Sequence, residues 1–347
     1  MSGSGRKRSI RSMRKFAESQ GKKVELINVG ERMYQKSKSL GYPIKEGKIL
    51  DTSERNLDYL RAIVFEDILG ERETAENMLI NTHACFRWNK YLTKAFDYYY
   101  LTKLNPDIYL TVTDTIYSIF GRLDLTQWKG RNSLWELLAW RDEEEHITKT
   151  FAMIQGKKHF TICWEDPPET MYNIIFEPSV KRTYLSYPVS AGTSEAMKEV
   201  REFRDTLREK LVVFDPMAIK DIEWLTAGSA LKKQGKTTIK IPFIDDDGKR
   251  KEVAFSTEDL EKVNSYLKDQ TISRDYTMIS QSDFITVYYY EPAISSPGVQ
   301  REIRYAKEDG KDVYIYYPKK EMSPFLEKDI TRHFLDKEEF IKFLMSI

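Results

Sequence analysis

Cysteine and histidine are scarce: two cysteines (Cys85, Cys163) and four scattered histidines (His83, His146, His159, His333) in 347 residues. Their spacing matches no zinc site and two cysteines make no disulfide framework, so no metal site is predicted and a reducing, cytoplasmic setting is expected. Long apolar runs are missing too. None approaches the roughly 18 residues of a membrane span, and no signal-type apolar core follows the basic start, so no membrane partner is expected. Excess charge of either sign is absent: 55 basic against 54 acidic residues leave a formal charge of +1, which gives no global field for nucleic acid. Internal repeats and low-complexity tracts are lacking. What is there is enough chain for two domains with separate cores, 31% of it charged and well interspersed.

Apolar runs suited to buried parallel strands alternate with amphipathic helical stretches. Strand candidates lie at 24–29, 78–82 and 108–112, with helices at 56–68 and 90–104. Residues 155–178, bearing Pro167, Pro168 and Pro178, read as an irregular junction. A second series follows: a strand at 184–187, a helix carrying Met197, Val200, Phe203 and Leu207, then strands at 211–214, 283–290 and 313–317. Residues 225–270 read as an insertion in that second series, with a hairpin around Asp245-Asp246-Asp247-Gly248. The predicted fold class is α/β, as two three-layer domains with mainly parallel sheets, at 1–175 and 181–347. The tyrosine runs 98–100 and 288–290 are expected in the core rather than stacked on bases, and His83 and His146 are expected to be structural.

The segment Ser296-Pro297-Gly298-Val299-Gln300-Arg301-Glu302 follows an apolar run and opens a helix. Backbone N–H groups at such a start favour an anion. A carboxylate one turn in is an odd phosphate ligand but an apt nucleophile beside a bound phosphate. Two further pieces accompany it: Thr183-Tyr184-Leu185-Ser186-Tyr187-Pro188-Val189-Ser190-Ala191-Gly192, a strand running into a small-residue loop, and Arg274-Asp275, eight residues before Asp283.

This ordered set resembles the nucleoside 2-deoxyribosyltransferase-like superfamily over residues 181 to about 320, and within it the nucleoside 5′-monophosphate N-glycosidases. The resemblance implies a Rossmann-like sheet and a small-molecule nucleotide substrate. It implies no cofactor for this half and a tendency to homo-oligomers. It places Glu302 at the anomeric carbon and Asp275 by the departing base. Ser296, with Gly298, is placed on the 5′-phosphate, and Tyr184, Gly192 and Asp283 around the substrate. The transferases proper carry Asp where Ser296 stands, and a hydroxyl tolerates a phosphate dianion that a carboxylate would repel. The residue types also suit the chemistry directly. Cleaving an N-glycosidic bond passes through an oxocarbenium-like state, which a carboxylate stabilises while a second acid serves the leaving base. Set at adjacent strand–helix junctions, Glu302 and Asp275 would converge at the carboxyl edge of one sheet. Taken singly, each is more often a helix-dipole or turn residue. The 225–270 insertion and the longer segment 288–295 depart from the family.

At the other end, Gly3-Ser4-Gly5-Arg6-Lys7-Arg8-Ser9 has the form of a phosphate-binding loop running into a helix at 10–19, without the usual preceding strand and with Arg6 in the lysine place. The same composition suits a flexible tail. Together with the strand at 24–29, Thr82-His83 and Arg122, Arg131 and Arg141, it resembles archaeal-type adenylate kinases and related P-loop kinases over residues 1 to about 155. That implies a nucleotide held by Gly3, Gly5, Arg6, Lys7 and Ser9, possible ATP and Mg²⁺ as cofactors, and lid arginines at 122, 131 and 141. The alternative for these arginines is pairing with Glu143-Glu144-Glu145. The leading expectation is an enzyme cleaving the N-glycosidic bond of a nucleoside 5′-monophosphate, by hydrolysis or sugar transfer. The alternatives are a nucleoside monophosphate kinase with a nucleotide-sensing C-terminal domain, an NAD glycohydrolase, or a non-catalytic nucleotide sensor.

Overall fold

The computed structural model describes residues 1–45, 47–88, 91–189, 192–290 and 296–347. The chain is an α/β protein, about half helical, with mainly parallel sheets. No helix among the described residues is long and apolar enough to cross a membrane. Two compact units form, Met1–Pro168 with Asp221–Leu267, and Glu169–Lys220 with Lys268–Ile347.

In the first unit, Glu25–Asn28 pairs in parallel with Met78–Asn81, and Ile108–Thr113 with Lys158–Cys163. Among the described residues no ladder joins these two parallel pairs. Residues 90–104, expected as one helix, contain the strand Tyr91–Lys94 and the shorter helix Tyr98–Leu104. Asp97 caps that helix by accepting from the Tyr99 and Tyr100 amides. The stretch 155–178, expected as an irregular junction, contains the division between the two units but also regular elements. Lys158–Cys163 is a strand, and Pro168 opens the helix Pro168–Phe176, where its missing N–H costs nothing.

Of the segment 225–270, residues 225–267 group with this first unit rather than forming an insertion in the second. Its hairpin, Thr238–Ile244 against Arg250–Ser256, turns at Asp245–Gly248 as the sequence suggests. Ile239, Ile241, Phe255 and Leu260 then complete a core built on Trp88, Tyr117, Leu138 and Trp140. The hairpin alone could not bury that face. Buried Asp221 accepts from Ile116 N at 2.8 Å and from Arg141 at 2.7 Å.

The second unit holds a five-stranded sheet, parallel throughout. Across it run Arg332–Phe334, Asp312–Tyr316, Phe284–Tyr288, Arg182–Ser186 and Val212–Phe214. In chain order that is 5-4-3-1-2, so the winding reverses between Arg182–Ser186 and Phe284–Tyr288. Open parallel sheets bind ligands at the carboxyl ends of the strands at such a reversal. Alternation sorts the side chains. Leu185, Tyr187, Phe284 and Tyr288 pack with Val200, Phe203 and Leu207 of the helix Ser194–Leu207 and with Phe340 and Leu344 of Lys337–Leu344. Tyr184 and Ser186 consequently point to the other face. Tyr288 and Tyr289 are buried, as expected of that run, whereas Tyr98 and Tyr99 are exposed.

Candidate active site

Glu302 lies on the helix Pro297–Glu308, which follows the third strand of the five-stranded sheet. Val299, Ile303 and Ala306 form its buried stripe, so Glu302 sits beside the buried edge and its carboxyl group reaches inward. Tyr184 OH donates to Oε1 at 3.0 Å, and the Ser186 hydroxyl donates to Oε2. Burial first, and then the charge of Asp275, push the Glu302 carboxyl up to about 8, against the pull of the two hydroxyls. Asp275 is pushed up to about 6, chiefly by burial and further by Asp215, while Arg274 opposes the rise. Arg274 Nε lies 3.7 Å from Asp275 Oδ1, close enough for an ion pair but too long for a hydrogen bond. Burial, then Asp275 and Glu302, hold the Tyr184 phenol well above its usual range. Tyr289 is pushed up to about 12 by burial, with Tyr317 and Glu302 adding to it.

Tyr184, Asp275 and Glu302 are therefore electrostatic neighbours at the reversal point of the sheet. Asp275 arrives there by a different route from the one expected. It belongs to the helix Asn264–Ser280, well inside it, and not to a strand–helix junction. Ser296 is the N-cap of the Glu302 helix, its Oγ accepting from Val299 N at 3.4 Å, with Pro297 at the first helical position. Among the described residues a Cβ on Gly298 would meet Ser296 Oγ alone, at 3.9 Å, an ordinary contact distance. At Gly192 a Cβ would lie 2.3 Å from the terminal methyl of Met197, a flexible side chain that could move aside, and 3.0 Å from Tyr290 OH. Ser190, Ala191 and residues 291–295, part of the loop and turn singled out in the sequence, lie outside the described residues.

Asp283 is not at this site. It precedes its strand and so stands at the amino edge of the sheet, accepting from Arg182 N at 2.8 Å and from Arg182 Nη2 at 2.6 Å. It ties two strand starts together, and a substrate role is withdrawn. Ser186 is the residue the sequence reading missed, although its position two after Tyr184 on one strand puts both on one face.

The glycine-rich start is structured. Gly3 and Gly5 have φ of +75° and +72°, and a Cβ on Gly5 would lie 2.9 Å from the Trp164 ring. The helix Arg6–Ser19 opens directly after Gly5, and Ser9 N bonds to Gly5 O at 3.2 Å. Beside it is a cavity of about 360 Å³ lined by Ser4, Gly5, Lys7, Tyr34, Arg61 and Asn81, among others. Buried Ser4 Oγ and Asn81 Oδ1 on its wall have no hydrogen-bond partner among the described residues. Arg6 and His83 also line this cavity, with Arg6 Nη2 3.0 Å from His83 Nε2, while His83 Nδ1 lies 2.9 Å from Glu144 Oε1. Burial, with help from Arg6, pushes His83 down to about 4. The neutral ring therefore donates from Nδ1 to Glu144 and accepts at Nε2 from Arg6. Lys7 pairs with Glu31 at 3.3 Å in solvent.

The three arginines expected in a lid are structural ties. Arg122 is buried and donates to Asp114 Oδ2 at 2.7 Å, Ile244 O at 2.7 Å and Gly3 O at 2.6 Å. Arg141 is bonded to Asp221 and to Asp114 O. Arg131 lies 4.0 Å over the Trp88 ring and donates to Gln127 O. Of the glutamate run, Glu143 accepts from Arg87, Glu144 is bonded to His83 and the Cys85 amide, and Glu145 accepts from Thr161 and also feels the charge of Arg141. A scan of protein-family models and a search of curated proteins find no match for this chain.

Proposed function

We propose that the second unit cleaves the N-glycosidic bond of a nucleoside 5′-monophosphate. The observation that carries this reading is the convergence of Glu302, held by Tyr184 and Ser186, with Asp275 at the reversal point of the sheet. Two acids of raised pKa beside each other suit a reaction that develops positive charge and must deliver a proton. A buried anion disfavoured in the empty site is most favoured when a cation forms next to it, so its stabilisation grows towards the transition state. The 5′-phosphate is assigned to Ser296 and the first turn of its helix, where backbone N–H groups and the dipole favour an anion. Asp275 protonates the departing base. The resemblance to the monophosphate N-glycosidases agrees with these roles, and both cysteines, buried and free, suit the reducing cytoplasm.

Catalysis needs Glu302 ionised and Asp275 protonated, the reverse of their order in the free protein. kcat/KM should therefore rise to about pH 6, where Asp275 titrates, and fall above about pH 8, where Glu302 does. Incubation with a panel of nucleoside and deoxynucleoside monophosphates, their nucleosides, NAD and ATP, with chromatography of the products, tests the assignment. Free base from a monophosphate supports it. Base from NAD alone transfers the reading to a glycohydrolase, and no base from any member rejects it.

A second reading concerns the first unit and rests on its cavity. Small residues, a helix start, Lys7 and a buried hydroxyl without a partner among the described residues support a site for the phosphate of a nucleotide in a P-loop kinase-like fold. With Arg122 and Arg141 tied to Asp114 and Asp221, holding a nucleotide is favoured over transferring its phosphoryl group. ATP binding that Lys7→Ala weakens, without γ-phosphate transfer to a monophosphate, is the expected result. Efficient transfer would make this unit a kinase.

A further inference from the structure

Tyr184 and Ser186 together engage both oxygens of Glu302, one hydroxyl each. Neither oxygen can bond to carbon without giving up most of a hydrogen bond to an anion, because an ester oxygen is a much poorer acceptor than a carboxylate oxygen. Resting on the glycosidase reading above, we propose that Ser186 is a positioning residue that keeps Glu302 as an electrostatic partner of the sugar cation, so that the sugar passes to water and not to a second base.

In that step the C1′–N bond breaks with its electron pair on the base, which takes a proton from Asp275. Water forms the new C1′–O bond and returns a proton to Asp275. One water is consumed, and free base and sugar 5-phosphate leave. The titratable groups that interact with Glu302 are Tyr184 on the first strand, Asp275 on the helix Asn264–Ser280 and Tyr289 after the third strand, while Arg274 acts on Asp275 and Tyr184. Asp275 disfavours the anion, and the two hydroxyls are the groups that favour it. Ser186 is fully buried and lies on the substrate-facing side of its strand, so its hydroxyl has Glu302 as its described partner.

The test uses the full chain with a nucleoside 5′-monophosphate and an excess of isotopically labelled free base, following base release and incorporation of label. Wild type should release base and incorporate almost no label. Ser186→Ala should raise incorporation relative to hydrolysis roughly 10- to 100-fold, the equivalent of one hydrogen bond to a charged group. It should also move the alkaline limb of kcat/KM to higher pH, since a donor that favoured the anion is gone. Ser186→Thr, which keeps the hydroxyl, should restore both, and Ser186→Cys, a weak donor of similar size, serves in place of the alanine variant if that does not fold. Comparable exchange and hydrolysis by wild type would overturn the proposal. So would an alanine variant with the wild-type partition and pH profile. Wild type that releases no base from any substrate rejects the glycosidase reading itself and takes the proposal with it.

Discussion

Replacing Glu302 by Gln should make the protein more stable at alkaline pH, an effect readable without any substrate. The carboxyl rises from 4.5 to about 8 on folding, mostly through burial and then through the charge of Asp275. The folded state thus binds more protons than the unfolded state between these values. Stability is fully present below about pH 4.5 and is lost as pH climbs through about 8. At about 1.4 kcal/mol per pH unit, the loss attributable to Glu302 is at most ~5 kcal/mol. An amide of the same shape keeps acceptance from Tyr184 and removes the charge. Melting curves of wild type and Glu302→Gln should coincide near pH 5 and separate steadily towards pH 9, with the variant higher. Parallel curves across that range would refute the claim that Glu302 is a buried carboxyl disfavoured as an anion.

Two further outcomes follow from other residues. Ser296→Ala should weaken binding of a nucleoside 5′-monophosphate by roughly 10- to 100-fold and leave the nucleoside nearly unaffected, as judged by calorimetry, because one hydrogen bond to a charged group is at stake; equal losses for both would reject the phosphate role. Arg122→Ala should cost the first unit about 3–5 kcal/mol in denaturant unfolding, because it strands buried Asp114 and two carbonyl acceptors, and a change under about 1 kcal/mol would contradict its role as a structural tie.

Much of this site is legible in the sequence because it is written locally. Ser296-Pro297-Gly298 marks a helix start, and a carboxylate one turn later is fixed by helical spacing. Ser186 was legible in principle from the period of its strand, yet a serine in an apolar run carries no signal until its partner Glu302, on the helix packed against the sheet, is known. Asp283 misled for the opposite reason. Its place at a strand opening is local, but only the parallel pairing shows that an opening lies at the edge away from the site. The hairpin 238–256 announced its turn and its alternation, and its unit was set by which core lacked apolar surface, a property of the whole fold. Arg122 and Arg141 could not be separated from lid arginines by sequence, since their partners Asp114, Gly3, Ile244 and Asp221 are mostly remote along the chain.

The central claim is most directly tested by the rate of base release from a nucleoside 5′-monophosphate by wild type and by Glu302→Gln, with affinity measured in parallel. Wild type should yield free base and sugar 5-phosphate in equal amounts. The variant should bind within a few-fold of wild type and turn over at least about 100-fold more slowly, as losing one preorganised charge at a developing cation typically does. Full activity in the variant, or base released by neither protein from any monophosphate, would contradict the account.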